Sequence, residues 1–151
     1  MTPVRLLTGP GDAALWQRLA LEAITENPEA FMTTREAEAA LPLSWFENAL
    51  AEGTHVFVAG ADLGLTVVRT EGMMAKLSSV YVRSCARGQG IGDALIEGAL
   101  SAARASGCTQ CRLWVFSDNG AAIALYRRHG FALWSKTAYG ERWDWTMRCQ
   151  L

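Results

Sequence analysis

Only two histidines, four prolines and four cysteines occur in this sequence of 151 residues, and neither sign of charge predominates. Each scarcity excludes something. The cysteines, Cys85, Cys108, Cys111 and Cys149, are too few and too scattered for the disulfide framework of a small secreted scaffold. Cys108 and Cys111 have the spacing of a zinc half-site, but no second pair follows, so no metal site is expected. A formal net charge of −1, with no cluster of lysine and arginine, predicts no nucleic-acid partner. Small neutral or cationic substrates fit better. No apolar run reaches the roughly 18 residues of a membrane span, and Met1–Leu7 lacks the basic and apolar regions of a leader. A cytoplasmic protein with reduced thiols and no membrane partner is therefore expected.

Apolar material, by contrast, is plentiful. Half of the residues are hydrophobic and 19% are charged, enough for a packed core. The length suits one domain over residues 1–151.

Val4–Leu7 reads as a short strand closed by Gly9-Pro10-Gly11. Asp12 is the expected N-cap of a helix carrying Leu15, Trp16, Leu19 and Ala23 on one face, stopped at Asn27-Pro28. Thr33 with Glu36 and Ser44 with Glu47 predict two capping boxes, and Pro42 separates the two short helices they would start. His55–Ala61 and Leu63–Thr70 then form a hairpin with its turn near residues 60–62, and Lys76–Arg83 is a third strand. An amphipathic helix runs from about Gly90 to Ser106. Cys111–Phe116 is a strand, Ala121–His129 a helix ended by Gly130, and Ala132–Thr137 and Trp143–Cys149 are two last strands turning at Tyr139-Gly140. This order is a single mixed α/β domain, unlike the strict alternation of a doubly wound nucleotide fold.

Between the third strand and the amphipathic helix stands Arg87-Gly88-Gln89-Gly90-Ile91-Gly92. Three glycines at alternate positions let the backbone approach a ligand and leave successive amides uncovered. The first amides of a helix lack intrahelical partners and sit at the positive end of its dipole, a ready phosphate site, and Arg87 adds a permanent cation. A P-loop is excluded because no Gly-Lys-Ser/Thr follows. The dinucleotide fingerprint is excluded because Asp93 stands where its third glycine should. A tight turn that binds nothing remains the alternative. Further on, Asn119, Ala122, Leu125, Tyr126, Gly130 and Phe131 form the pattern Asn-x-x-Ala-x-x-Leu-Tyr-x-x-x-Gly-Phe. Asn119 can cap this helix and still offer an amide, while Ala122, Leu125 and Tyr126 share one face.

The two segments, in this order and on these elements, resemble the coenzyme-binding motifs of the GNAT superfamily of N-acetyltransferases. The resemblance is good over Lys76–Leu151 and is limited to element order before that. It implies a GNAT-like α/β (α+β) fold, a twisted, mostly antiparallel mixed sheet flanked by helices. It also implies acetyl-CoA as cosubstrate, with pyrophosphate on Arg87, Gly88, Gln89, Gly90, Ile91 and Gly92. Asn119 and Ala122 would lie along the coenzyme, and the backbone of Val80, Tyr81 and Val82 would meet pantetheine, with an amide of Val80 or Val82 on the oxyanion. Tyr126 would hydrogen-bond the sulfur and protonate the leaving thiolate; a core aromatic with a satisfied hydroxyl is the alternative. The implied reaction is direct acetyl transfer to a primary amine of a small molecule in a ternary complex. A protein N-terminus or lysine as acceptor, or a non-catalytic acyl-CoA-binding module, are the rivals. A homodimer is compatible with the family, though no surface stands out.

Amine transfer needs a base. For an amine of lysine-like pKa, exposing the neutral form at pH 7 costs roughly 4.6 kcal/mol, at about 1.36 per unit. No carboxylate lies between Lys76 and Arg83, so Glu71 is the nearest candidate, with a solvated turn residue as its alternative. His55 and His129 have no evident catalytic partner. Trp143 and Trp145 share a strand face by alternation and, with Trp134 and Tyr139, are candidates for an acceptor pocket, although packing is the better default.

Overall fold

The computed structural model describes residues 2–151. Strand β1 (Val4–Leu6) precedes helix α1 (Asp12–Glu26), a 3₁₀ turn at Pro28–Ala30, α2 (Arg35–Ala39) and α3 (Leu43–Ala51). Then come β2 (His55–Ala59), β3 (Gly64–Glu71), β4 (Met74–Val82), a second 3₁₀ turn at Ser84–Ala86 and α4 (Ile91–Ala105). Strand β5 (Gln110–Phe116), α5 (Gly120–Arg128), β6 (Ala132–Tyr139) and β7 (Arg142–Gln150) complete the chain.

All seven strands join one sheet in the order β1-β2-β3-β4-β5-β7-β6. Every neighbouring pair is antiparallel except β4 with β5. A parallel pair needs a crossover, and α4 supplies it. Helix α4 buries Ile91, Leu95, Ala99 and Ala103, the face its periodicity predicts, and Ile96 and Leu100 beside them. With Ile123 and Tyr126 of α5 it covers one face of the sheet. Trp16, Leu19 and Ala23 of α1 and Phe46 of α3 cover the other face over β2, β3 and β4. Strand β3 lies under both layers, so its first five residues, Gly64–Val68, are all buried and carry no alternation.

The helix starts depart from expectation. Gly11, at φ +80°, is the N-cap of α1. Asp12 is instead the first helical residue, and its carboxylate accepts the amides of Thr8 and Gly9 (2.8 Å each) and pairs with Arg5 at 3.1 Å. Thr34, not Thr33, caps α2 through the amide of Ala37. Helix α3 begins directly after Pro42 without any side-chain cap, so Ser44 and Glu47 form no box. Strand β6 reaches Tyr139, two residues beyond its expected end.

The sheet has one irregularity that creates a site. In the pairing of β3 with β4 the register steps from Leu65↔Tyr81 to Val67↔Ser78, so Ser79 and Val80 together oppose Thr66. Ser79 takes φ +56°, the left-handed region, and is the one non-glycine residue to do so among those described. Strand β4 pairs with β5 only over Met74–Lys76 and Gln110–Arg112, although both strands continue. Beyond Lys76 the backbone edge of β4 has no strand beside it.

Candidate active site

The gap between the splayed strands opens into a cleft of about 890 Å³. One bank carries Val82, the glycine-rich turn and the start of α5; the other carries Asn27–Met32, Trp114, Phe116, Arg142 and Asp144. The hydroxyl of Tyr139 donates to the Met32 carbonyl at 3.2 Å, and its ring meets Phe116 at 5.4 Å. The β6–β7 hairpin is thereby strapped to the segment after α1.

Of the residues expected to hold a coenzyme, Val80, Tyr81, Val82, Arg87, Gly88, Gly90, Ile91, Gly92, Asn119, Ala122 and Tyr126 all line the cleft. Gln89 does not. Tyr81 offers only its backbone, because its side chain is buried on the α1 side and its hydroxyl donates to Glu22 at 2.9 Å. Burial and that hydrogen bond push the phenol up to about 12. Arg83 grips the same carboxylate with two nitrogens (2.6 and 2.8 Å) and reaches Asp62 at 3.2 Å, fixing α1 against the end of β4. Arg83 holds the Glu22 carboxyl below the usual carboxylate range.

The glycines of the turn have different reasons. Gly88 and Gly90 both take φ +77°, and a Cβ on either would meet nothing within 4 Å. Conformation demands glycine there, and the space in front of the backbone stays open for a ligand. Gly92 is different: a Cβ would come within 3.1 Å of Leu125 Cδ2, so it is small to let α4 lie against α5. Gly90 caps α4 without a side-chain bond, and the first amide of the helix bonded within it is that of Ala94. The amides of Ile91, Gly92 and Asp93 are left for an anion. Arg87 donates through Nε to the carbonyl of Val82 at 3.1 Å, with its guanidinium beside the turn. These donors suit a pyrophosphate.

Asn119 caps α5 by accepting the amide of Ala122 at 3.3 Å, which leaves its NH₂ group available. Tyr126 is 9% exposed, and burial pushes its phenol up to about 12. It is a neutral hydrogen-bond donor at physiological pH. Asp93, in the first turn of α4, is bound by Arg128 (3.3 Å) and by His129 Nε2 (2.7 Å), a partner for His129 that sequence reading missed. Arg128 and His129 hold the Asp93 carboxyl low, and the cluster ties the end of α5 to the start of α4.

Glu71 is not part of the cleft. It ends β3 at the far hairpin, with its side chain 73% exposed and paired to Lys76 at 2.6 Å, and it faces no reacting group. The aromatic pocket fares no better: Trp134, Tyr139, Trp143 and Trp145 do not line the cleft. Trp134 and Trp143 are exposed, and Trp145 packs between Arg127 and Lys136. In their place the cleft uses Phe31, Met32, Trp114, Phe116 and Asp144. One signal for Asp144 was present, since alternation sends it to the face opposite Trp143 and Trp145. Among the described residues no group of His, Cys, Asp and Glu is arranged to hold a metal ion, and no helix is long and apolar enough to cross a membrane.

The geometry defines a class: an α/β protein whose sheet parts along its parallel seam, able to grip a phosphorylated, amide-bearing chain by backbone donors. Comparison with known proteins narrows it. The chain belongs to the acetyltransferase (GNAT) family, whose model matches residues 15–131. A mycothiol acetyltransferase of Salinispora tropica is 35% identical over 136 residues, covering 83% of this chain and 43% of that protein. An L-methionine sulfoximine/L-methionine sulfone acetyltransferase of Pseudomonas aeruginosa is 31% identical over 116 residues, 71% of this chain and 67% of that one. The chain spans less than half the length of the mycothiol acetyltransferases it matches. Among solved structures, yncA of Salmonella typhimurium, determined with its cofactor acetyl-CoA, has a TM-score of 0.76 at 22% identity, over 100% of this chain and 94% of that one. The ribosomal-protein-alanine N-acetyltransferase of Brucella melitensis has a TM-score of 0.75 at 26% identity, over 99% of each chain. The mixed, mostly antiparallel sheet with helices on both faces is the GNAT fold.

Proposed function

We propose that the chain is an acetyl-CoA-dependent N-acetyltransferase that passes acetyl to the primary amine of a small molecule by direct attack in a ternary complex. One observation carries this reading: a single cleft joins the open amides after Gly90, the unpaired edge of β4, the buried phenol of Tyr126 and the apolar side chains of Phe31, Met32, Trp114 and Phe116. Acetyl-CoA would supply the activated thioester. Arg87 and the amides of Ile91 and Gly92 would hold its pyrophosphate. The edge of β4 from Ser78 to Val82 would pair with the amides of its pantetheine, where a neighbouring strand would otherwise sit. Holding donor and acceptor together converts a bimolecular encounter into an intramolecular one, worth up to about 7–11 kcal/mol.

For Tyr126 a magnitude decides between two roles. Complete transfer of its proton to a thiolate of ordinary pKa near 8.5 would run uphill by about 3.5 units, ~5 kcal/mol. The phenol therefore acts as a hydrogen-bond donor to the developing thiolate, whose proton comes finally from solvent. The small acceptor is favoured by the apolar side chains that line the cleft and by the Pseudomonas relative, whose name refers to amino-acid derivatives.

Release of coenzyme A thiol from acetyl-CoA across a panel of amines, amino acids and peptides tests the reading. Turnover is expected with small primary amines. Turnover on peptides alone would transfer the activity to a protein acceptor, and donor binding without thiol release on any acceptor would reduce the chain to a binding module.

A further inference from the structure

The proposed reaction lacks a base, and the one carboxylate that sequence reading offered lies outside the cleft. Asp144 sits in β7 between Trp143 and Trp145, in register with Phe116 of β5 and Thr137 of β6. It is 8% exposed, it lines the cleft, and its Oδ1 is buried without any hydrogen-bond partner. No salt bridge reaches it among the described residues. A buried carboxylate oxygen without a hydrogen-bond partner is costly. The other carboxylates of the cleft are engaged or wet. Asp93 is held by Arg128 and His129, Asp118 is clamped by two nitrogens of Arg142 (2.9 and 2.7 Å), and Glu29 is exposed. Asp144 alone combines burial with freedom from any ion pair.

We propose that Asp144 is the acceptor-binding and proton-abstracting residue, and that the acceptor is a small compound bearing a protonated primary amine on an apolar stem. This rests on the N-acetyltransferase reading above. The ammonium group completes the hydrogen bonding of the Asp144 carboxylate, while Phe31, Trp114 and Phe116 flank the stem. The guanidinium of Arg142, 3.5 Å above the ring of Phe116 and neutralised by Asp118, closes the bank without competing for the ammonium. In the reaction the ammonium gives one proton to Asp144, and the freed nitrogen pair forms the N–C bond to the acetyl carbonyl carbon. The C–S bond breaks with its electrons on sulfur, which Tyr126 stabilises. The nitrogen loses its second proton as the amide forms. Of the two protons, one ends on the thiol and one in solvent. Burial raises the Asp144 carboxyl above the ordinary aspartate value, which strengthens it as a base.

The test compares two acceptors on the full chain. One is the best primary amine from the panel; the other is its aminooxy counterpart, with –ONH₂ in place of –CH₂NH₃⁺, which is neutral at pH 7. Asp144→Asn should lower kcat/KM by roughly 10²–10⁴-fold with the amine and by less than about tenfold with the aminooxy compound, which needs no proton removed before attack. Its calorimetric affinity for acetyl-CoA should stay within twofold of the unaltered chain, which shows that the cleft is intact. Equal losses with both acceptors, or no loss with the amine, would overturn the role of Asp144 and leave the transferase reading standing. An unaltered chain that turns over no amine at all would overturn both.

Discussion

Burial acts on Tyr126 and Asp144 in the same direction, favouring the protonated form of each, but with different consequences. For the phenol, exclusion of water holds the proton on; Tyr126→Phe removes a hydrogen bond to a forming anion, worth ~1.5–3 kcal/mol, or about 10–150-fold in kcat. Acetyl-CoA affinity in calorimetry should be unchanged, and an unaffected kcat would remove Tyr126 from the chemistry. For the carboxyl, burial penalises the charged form. A carboxyl whose folded pKa is raised lowers stability as pH climbs from its unfolded to its folded value, and the penalty is complete above the folded value. Asp144→Asn should therefore raise the melting temperature at pH 7–8, and the gain should vanish as pH falls towards the unfolded aspartate value near 4. A variant that melts lower at neutral pH would show that the carboxylate has a stabilising partner. Tyr126 was legible in the sequence because its neighbours Asn119, Ala122 and Leu125 share one short helix. Asp144 was not, because its isolation depends on β5, β6 and the segment after α1 closing around it.

At the scale of elements, the start of α4 is where chain pattern and backbone geometry agree most fully. Glycines at 88 and 90 needed no tertiary information to be proposed for a phosphate site, since positive φ and bare amides are local properties. The helix caps show the converse. Asp12, Thr33 and Ser44 were each a residue or more from the true start, because several short polar side chains compete there and contacts such as Arg5 with Asp12 decide between them. Asparagine and aspartate tolerate the left-handed region and cap helices about equally well, so Gly90→Asp and Gly90→Asn differ mainly in charge. The aspartate variant should bind acetyl-CoA about tenfold or more weakly than the asparagine variant, since like charges ~4–6 Å apart near a surface repel by about 1–4 kcal/mol. Equal affinities would displace the pyrophosphate from this turn. Gly92 is a packing glycine, and Gly92→Val should lower the melting temperature through Leu125, with partial recovery on adding Leu125→Ala.

For the whole molecule, the decisive feature is that two half-sheets meet at only three residue pairs, Met74–Lys76 against Gln110–Arg112. A donor lying in the seam would join them. At a hundredfold excess over Kd, a ligand binding only the folded state adds about 2.7 kcal/mol, which corresponds to roughly 5–10 °C in Tm for a chain of this size. Differential scanning fluorimetry with acetyl-CoA and with free coenzyme A would read it. The mixed, mostly antiparallel sheet was legible in the sequence; the splay was not, because neither the bulge at Ser79 and Val80 nor the short pairing of β4 with β5 leaves a mark in the residue pattern. A sheet parted at its centre also carries an open strand edge in its interior, the kind of edge on which foreign strands add and fibres grow. Ser79 guards that edge. Its left-handed twist breaks the regular ladder an intruding strand would need, while a flexible chain with only a few amides can still dock. Deleting Ser79 should restore a regular ladder along β4, and the ligand-free chain should then aggregate, visible as light scattering above that of the unaltered chain.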